Sequence, residues 1–415
     1  MNTSIYIHIP FCTHRCAYCD FNTYAGQEDS IPAYVDALLH EVKFIGHQTT
    51  QLPNHPTIGT IFFGGGTPSL LSGPQIGSIL DALRSAFTFS PDLEATLEAN
   101  PGTTSLEKLK QYRAAGINRL SFGVQSANSE ELHMLERAHD FFDVIQSVKW
   151  ARQAGFDNLN LDLIYGLPEQ TLATWQSSVQ RIVDLGPEHI SAYALTLEHG
   201  TPFGRWTAKG LLPVSDPDLA ADMYEWLSEF LESAGYVQYE ISNWAKLKDE
   251  SGKMKDEENS SFSFHPSSFF ACRHNLQYWR GLPYLGLGAG AHGYAGGVRY
   301  SNVLRIKTYI ERLASVQSPV SGYQFPLTPA VVNQHRQTPQ DEMGEFMMTG
   351  LRLTREGVSD KVFAERFGKN ILGFYEKSVG QLMEQGLLEW TDDQLHLSRR
   401  GRLLGNQVFM HFVGE

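Results

Sequence analysis

The chain has 415 residues, of which 33 are basic and 46 acidic, so its formal net charge is −13. This length suffices for two or three domains of about 150 residues each, and a hydrophobic content of 42% excludes a wholly disordered chain. The acidic balance argues against a dedicated nucleic-acid-binding protein. No apolar run reaches the ~18 residues of a membrane helix, and the N-terminus lacks the basic region and cleavage site of a signal peptide. We therefore expect a cytoplasmic protein without nucleic-acid partners.

The first two-thirds of the chain alternates between strand-like and helix-like segments. Apolar, β-branched runs predict buried parallel strands at Ser4–Ile9, Thr57–Phe63, Ala95–Glu98, Arg119–Val124, Asn158–Ile164 and His189–Leu197. Helical periodicity predicts helices at Ile31–Ile45, Pro74–Ala86, Ser105–Ala115, Phe141–Ala154, Thr171–Leu185 and Asp218–Ala234. The predicted glycine C-caps of these helices are Gly46, Gly116, Gly155, Gly186 and Gly235. Six βα units in series indicate a parallel sheet, either doubly wound or closed into a partial or full β/α barrel.

Polar residues favour the barrel over the doubly wound sheet. Glu98, Gln125, Asp162 and the Gly64–Thr67 turn all fall at or near the carboxyl ends of predicted strands. This is the face on which β/α-barrel enzymes carry their functional groups. We therefore predict an α/β fold, a partial (β/α)6 barrel with its site on that face.

The remainder of the chain contains several segments that differ in amino-acid composition and predicted structure. Residues 246–268 are charged and serine-rich with little periodicity, which indicates an insertion. Residues 282–297 are glycine-rich, which indicates close backbone packing. The pattern of Val379–Phe412 predicts a helix, two short strands and a second helix. This order is typical of a winged-helix-like module, which we place in a smaller, mainly helical C-terminal domain. The predicted division is a barrel core at 1–235, an extension at 236–318 and the helical domain at 319–415.

Three of the four cysteines lie within eight residues: Cys12, Cys16 and Cys19 follow the first predicted strand, and Cys272 stands alone. Four cysteines are too few for a disulfide scaffold in a chain of this length. Three thiolates at this spacing can hold an iron–sulfur cluster and leave one iron without a protein ligand. A zinc site is the alternative, with His14 or His8 as the fourth ligand.

The pattern CxxxCxxC after the first strand of a β/α barrel resembles the radical S-adenosylmethionine (SAM) superfamily. Gly64-Gly65-Gly66-Thr67-Pro68, after the second strand, is similar to the glycine motif of that superfamily. The resemblance implies a [4Fe-4S] cluster on the three cysteines, with SAM chelating the open iron. In this superfamily, an electron from the cluster cleaves SAM to methionine and a 5′-deoxyadenosyl radical, while the protein positions the cofactors.

Further motifs point to one group within this superfamily. The resemblance to that group covers nearly the whole chain except residues 246–268. The motifs are YIHIPFC at 6–12, GGGTPSLL at 64–71, EANPG at 98–102, RLSFGVQS at 119–126, LDLIYGLP at 161–168 and GAGAHG at 288–293. They resemble a group that contains oxygen-independent coproporphyrinogen III oxidase and a family of heme chaperones related to it. By motif position, the resemblance implies SAM contacts from Tyr6, Gly65, Gly66, Thr67, Glu98, Gln125, Arg137, Asp162 and Ala194.

Two departures favour the heme chaperones over the oxidases. The oxidases carry a fourth cysteine in the pattern CxxxCxxCxC, but here Cys19 is followed by Asp20 and Phe21. The oxidases also carry an N-terminal extension, whereas only five residues precede Tyr6. Whether the radical machinery turns over a substrate stays open.

The sequence HNLQYW at 274–279 matches an HNxxYW motif associated with heme binding in those chaperones. It implies heme contacts from His274, Tyr278 and Trp279, because imidazole can bind iron and aromatic rings can stack on a porphyrin. Cys272 is an alternative ligand or a small buried hydrophobe. The implied partners are heme and client hemoproteins, respiratory and membrane-associated ones included, for a monomer or a cluster-dependent dimer.

Overall fold

The computed structural model describes residues 2–248, 269–314 and 323–413. The chain forms two compact units, each built from two stretches: Met1–Leu227 with Pro283–His335, and Ser228–Leu282 with Arg336–Glu415. The division into domains at 235 and 318 stays a prediction. The predicted insertion lies outside the described residues from 249 onward.

The first stretch of the first unit contains the predicted βα series. Its strands are β1 (Asn2–Ile9), β2 (Phe11–Cys12), β3 (Tyr24–Ala25), β4 (Thr57–Gly65), β5 (Thr88–Ala99), β6 (Arg119–Gln125), β7 (Leu159–Tyr165) and β8 (His189–Ala194). Its helices are α1 (Ile31–Thr49), α2 (Gly73–Ala86), α3 (Leu106–Ala115), α4 (Ser129–Met134), α5 (Phe141–Gln153), α6 (Leu172–Val183) and α7 (Pro202–Ala208), and α8 (Pro217–Ser233) begins in this stretch and ends in the next.

The main sheet has the strand order β1-β4-β5-β6-β7-β8, and each neighbouring pair is parallel. The order never reverses, whereas a doubly wound sheet has a reversal point. Right-handed crossovers without reversal place every helix on one face of the sheet, as in a β/α barrel. In β1, Ile5, Ile7 and Ile9 are fully buried while Tyr6 between them keeps some exposed surface. The partial barrel is confirmed, with an inner face that solvent can reach.

All six predicted strands and six predicted helices are present, with shifted ends. The strand predicted at Ala95 begins at Thr88, where it already pairs with β4. The glycine C-caps are confirmed at 116, 155, 186 and 235, which have positive φ. The cap at Gly46 is wrong, because α1 continues to Thr49. A Cβ at Gly46 would lie 2.6 Å from that of Ala86, so this glycine permits close packing between helices.

The middle of the chain holds elements that the sequence did not reveal. They are β9 (Tyr236–Glu240), β10 (Asn243–Lys246), α9 (Arg273–Trp279), β11 (Tyr284–Leu287), β12 (His292–Ala295), β13 (Val298–Asn302), α10 (Ile306–Ala314) and β14 (Val331–Arg336). Strand β11 pairs parallel to the free side of β1, and β12 and β13 continue in antiparallel pairs. The sequence did not predict β11, β12 and β13 because glycine, which is frequent in this segment, has a low strand propensity. It is required at Gly286, where a Cβ would lie 1.9 Å from the carbonyl oxygen of His292.

The C-terminal part of the second unit contains the predicted winged-helix-like module. Its elements are α11 (Pro339–Gly350), β15 (Val358–Ser359), α12 (Asp360–Phe367), α13 (Leu372–Glu384), β16 (Leu388–Thr391), β17 (Gln394–Leu397), α14 (Arg399–Leu403) and α15 (Gly405–Phe409). Strands β16 and β17 form the predicted hairpin, and β15 adds a third strand. These elements enclose an apolar core that includes Met347, Phe363 and Leu395. Among the described helices, none has the length and apolar character of a membrane span.

Candidate functional site

The cysteine loop begins at the end of β2 and is closed at its base. Strand β2 pairs with β3, so that Cys12 lies beside Ala25. A turn within the loop joins the amide of Cys19 to the carbonyl of Cys16 at 3.1 Å. Burial raises the pKa of Cys12, and the nearby thiols of Cys19 and Cys16 raise it further. The three thiols therefore lie near enough to influence one another.

The Gly64–Thr67 turn packs directly on this loop. The amide of Gly66 donates to the carbonyl of Ile9 at 2.9 Å, and the amide of Thr67 donates to that of Phe11 at 2.7 Å. The Thr67 hydroxyl donates to Cys12 Sγ at 3.5 Å. A Cβ at Gly66 would lie 2.6 Å from the Phe11 carbonyl oxygen and 3.1 Å from Cys12 Sγ, so only glycine fits here. The glycine motif thus sets the position of the first cysteine.

Tyr6 is linked to the end of the cysteine loop through a histidine. The Tyr6 hydroxyl and His8 Nδ1 are 3.0 Å apart, and His8 Nε2 lies 2.9 Å from the carbonyl oxygen of Asn22. Asn22 in turn donates to the carbonyl of Ala289, in the glycine-rich segment, at 3.2 Å. The positioning roles of His8 and Asn22 were missed at the sequence level. The alternation of Ser4, Tyr6 and His8 with isoleucines was the available signal for His8.

The carboxylates of Glu98 and Asp162 lie near enough inside the barrel to interact electrostatically. Glu98 accepts a hydrogen bond from the amide of Gly65 at 3.1 Å. Burial, and then the carboxylate of Asp162, raise the pKa of Glu98 to about 8. Asp162 accepts from Ser121 Oγ at 3.0 Å and from Asn160 Nδ2 at 2.6 Å. It lies in the middle of β7 rather than at its end, deeper in the barrel than predicted. Such carboxylates can bind an ammonium group or hydroxyls of a ligand.

Arg137 and Gln125 lie on the same face of the barrel as the cysteine loop. Arg137 Nη2 donates to the carbonyl of Gly123 at 2.7 Å, while Nη1 lies 3.5 Å from Cys16 Sγ. Its Nε is buried without a hydrogen-bond partner in the described ranges, which suits an incoming acceptor such as a carboxylate. Gln125 ends β6 with a positive φ, and its Nε2 would lie 3.0 Å from a Cβ at Gly123. Ala194 ends β8, beside Tyr165 of β7, and is exposed.

The donor set fits an iron–sulfur cluster with a small organic ligand. Within the described parts of the chain, no three His, Cys, Asp or Glu side chains converge on one metal ion. A cubane cluster does not need that convergence, since each thiolate binds a different iron. The buried Arg137 Nε, without a hydrogen-bond partner among the described residues, is a donor that a ligand beside the cysteines would use.

The HNxxYW segment forms helix α9 in the second unit. His274 is 1% exposed, and its Nε2 lies 2.8 Å from the hydroxyl of Tyr278, one turn along the helix. Trp279 packs at the edge of an apolar cluster, with the guanidinium of Arg352 4.3 Å from its ring centre. Cys272 is buried at the helix N-terminus. To bind iron through Nε2, His274 must exchange its contact with Tyr278 for the metal.

Comparison with known proteins decides the family. Residues 6–182 match the radical SAM superfamily, and residues 337–404 match the HemN C-terminal domain. The chain is 40% identical over 413 residues to the heme chaperone HemW of Bacillus subtilis, covering 99% of both chains. The chain belongs to the HemW family. HemW of Mycobacterium tuberculosis is 36% identical, with 99% of this chain and 94% of the relative covered.

A solved structure gives the same fold as this HemW-family chain. The coproporphyrinogen III oxidase HemN from Escherichia coli, a radical SAM enzyme, superposes with a TM-score of 0.77 and 23% identity. The match covers 99% of this chain and 90% of HemN. The radical SAM α/β fold with a C-terminal helical domain is thereby confirmed.

Proposed function

We propose that this protein is a heme chaperone that carries a [4Fe-4S] cluster and SAM, binds heme and delivers it to hemoproteins. The observation that carries the proposal is the full-length similarity to curated relatives named heme chaperone HemW, 40% identical in the first case and 36% in the second. The similarity includes both units, so it covers the cysteine loop and the HNxxYW helix alike.

The cysteine loop supports the chaperone over an oxidase. Residue 21, where the oxidase pattern has its fourth cysteine, is a phenylalanine with 66% of its surface exposed. A phenyl ring has no thiol, so the chain lacks the fourth cysteine of the oxidase pattern. The likeness to the solved oxidase shows the shared fold and does not restore the missing group.

In the proposed site, each residue has a role that its surroundings support. Cys12, Cys16 and Cys19 bind three irons of the cluster. Glu98 and Arg137 provide a carboxylate and a guanidinium for the charged amino acid end of SAM. The chemistry that the bound cofactors supply is one-electron reduction of the SAM sulfonium.

Tyr6, Gly65, Gly66, Thr67, Gln125, Asp162 and Ala194 complete the proposed SAM-binding set. Of these, Gly66 and Thr67 also fix the start of the cysteine loop, because their amides donate to the carbonyls of Ile9 and Phe11 just before Cys12. The protein's contribution is therefore to orient the cofactors and keep the loop fixed.

For heme, we propose His274 as the axial ligand, with Tyr278 and Trp279 beside it. The hydrogen bond between His274 and Tyr278 keeps the imidazole ordered in the heme-free protein. We place delivery in the cytoplasm, with hemoproteins, including membrane-associated respiratory ones, as clients of a monomer or a cluster-dependent dimer.

One experiment on the full chain tests the proposal. The protein is reconstituted anaerobically with iron and sulfide, and aliquots are titrated with heme, mixed with an apo-hemoprotein, or assayed for coproporphyrinogen III decarboxylation with SAM. We expect a Soret shift on heme binding, transfer of heme to the apo-hemoprotein and no decarboxylation. Robust formation of protoporphyrinogen would instead support the alternative, a coproporphyrinogen III oxidase-like radical SAM enzyme.

A further inference from the structure

The turn after helix α4 has an unusual residue at its centre. The amide of Arg137 donates to the carbonyl of Leu132 at 2.9 Å, and that of Glu136 to His133 at 3.0 Å. This pair of bonds is the Schellman motif, which requires a left-handed residue at the position of Glu136 and usually has glycine there. Glu136 adopts it with a φ of 55°. A glycine would form this turn with less strain, so the glutamate side chain calls for another explanation.

The glutamate side chain contacts the cysteine loop. Its Oε2 lies 3.0 Å from Nε2 of His14, which stands between the first two cysteines. The pair is solvent-exposed on both sides, with His14 52% and Glu136 40% accessible. An exposed pair adds little to the stability of the whole protein, so its effect is confined to the loop that it restrains.

The next residue contacts the same loop at the second cysteine. Arg137 Nη1 lies 3.5 Å from Cys16 Sγ and also 3.5 Å from the hydroxyl of Tyr18. The opposite arm of the guanidinium is fixed on the carbonyl of Gly123 in the barrel strand β6. Because the guanidinium is planar and rigid, fixing one arm directs the other at the sulfur.

The left-handed turn therefore brings two consecutive side chains to one loop. We propose that Glu136 and Arg137 are positioning residues for the cluster: Glu136 restrains the loop through His14, and Arg137 donates a hydrogen bond to the sulfur of Cys16. The inference rests on the proposed function in one respect, that Cys16 binds the cluster. A hydrogen bond to a ligating sulfur stabilises the more negative, reduced cluster and raises its reduction potential.

The test uses the reconstituted full chain without SAM, so that SAM contacts of Arg137 do not enter. Glu136→Gly keeps or improves the turn and removes only the carboxylate, so it separates folding from loop restraint. We expect an unchanged or higher melting temperature together with iron release to a chelator that is roughly tenfold faster. Glu130→Gln is the matched control, because it removes an exposed carboxylate in the first turn of the same helix. This variant should release iron at the rate of the unmodified chain.

For Arg137, the readout is the midpoint potential from a redox titration followed by electron paramagnetic resonance. Arg137→Gln should shift the potential downward, and Arg137→Lys, which keeps the charge without the planar fork, should fall between Gln and the unmodified chain. Iron release from Glu136→Gly at the unmodified rate, with an unchanged potential in Arg137→Gln, overturns the inference and leaves the proposed function intact. Failure of the unmodified chain to assemble any cluster overturns both.

Discussion

The carboxylate of Glu98 accepts a hydrogen bond from the amide of Gly65, 3.1 Å away, so the carboxyl end of β5 is joined to the glycine turn at the end of β4. That turn in turn holds Cys12 through Gly66 and Thr67. The carboxylate of Glu98 therefore contacts Gly65, the residue next to the backbone contacts that fix the first cysteine.

This carboxylate gives the ligand-free protein a specific pH dependence. The pKa of Glu98 is raised from 4.5 to about 8, mainly by burial and then by Asp162. The folded protein thus keeps a proton that the unfolded chain has already released between these values. The protonated Glu98 contributes its full stabilisation below the pKa of the unfolded chain. This contribution is lost as pH rises through the higher pKa of Glu98 in the folded protein. Glu98→Gln, which mimics the protonated form, should gain melting temperature relative to the unmodified chain as pH rises from about 5 to about 9.

Glu107→Gln is the control for that series, since Glu107 is exposed on helix α3. Its melting temperature should follow that of the unmodified chain at every pH. A constant difference between Glu98→Gln and the unmodified chain across the range would contradict a raised pKa at Glu98.

Gly66 should not tolerate a side chain. A Cβ there would meet backbone carbonyl oxygens of Phe11 at 2.6 Å and Ile9 at 2.9 Å, which cannot move without shifting the cysteine loop. We expect Gly66→Ala to cost about 1–3 kcal/mol in the free energy of unfolding and to lower the iron content after reconstitution. Chemical denaturation and iron analysis measure the two effects.

Gly77→Ala is the matched glycine control. Gly77 lies within helix α2, and the nearest atom to an added Cβ is 3.9 Å away. Alanine favours helix over glycine, so this variant should be more stable by about 0.5–1 kcal/mol with unchanged iron content. Equal behaviour of the two variants would show that the close contacts at Gly66 are unimportant.

A fully buried glutamate stabilises the side of the barrel that carries the glycine-rich segment. The carboxylate of Glu41 accepts from the amide of Gly288 at 2.8 Å and from side chains of Asn302, Tyr309 and Thr328 at 2.9, 2.7 and 2.9 Å. Glu41→Ala leaves these donors buried without their acceptor and should cost about 3 kcal/mol or more in the free energy of unfolding. Asp36→Ala, on the exposed side of the same helix, should change it by no more than about 0.5 kcal/mol; similar losses in both variants would count against the network.

The cluster prediction concerns iron and sulfide content. Replacing Cys12, Cys16 or Cys19 with alanine should abolish the iron–sulfur absorption after reconstitution, because in the proposed cluster each thiolate binds its own iron. Cys272→Ala, which removes a buried thiol far along the sequence, should keep it. Full iron and sulfide content in all three loop variants would refute ligation by these cysteines.

The heme prediction separates the roles of His274 and Tyr278 in the HNxxYW helix. His274→Ala should alter the heme spectrum and leave the cluster intact. Tyr278→Phe removes the hydroxyl that contacts His274 Nε2 and keeps the imidazole, so heme should still bind. An unchanged heme spectrum in His274→Ala would assign the histidine a purely structural role.

The amino-acid sequence by itself determined the features that arise from short stretches of chain. Apolar runs and helical periodicity predicted the six βα units, and the cysteine spacing identified the loop that follows β2. These succeed because periodicity and spacing reflect contacts within a few residues. Where glycine was needed for packing, as at Gly46 and Gly286, the same local signals gave a wrong cap and concealed a strand.

The tertiary structure alone decided which distant groups meet. Glu98 and Gly65 are 33 residues apart in the chain, and Arg137 and Cys16 are 121 apart. Their contacts depend on sheet register and on the path of each crossover, which no local pattern encodes. The burial of His274 beside Tyr278 also depends on tertiary structure, because the elements that pack on a short helix decide which of its side chains are buried. The sequence thus identified candidate groups such as Glu98, Arg137 and the three loop cysteines, and the register of the sheet and the packing of the helices set their distances and pKa values.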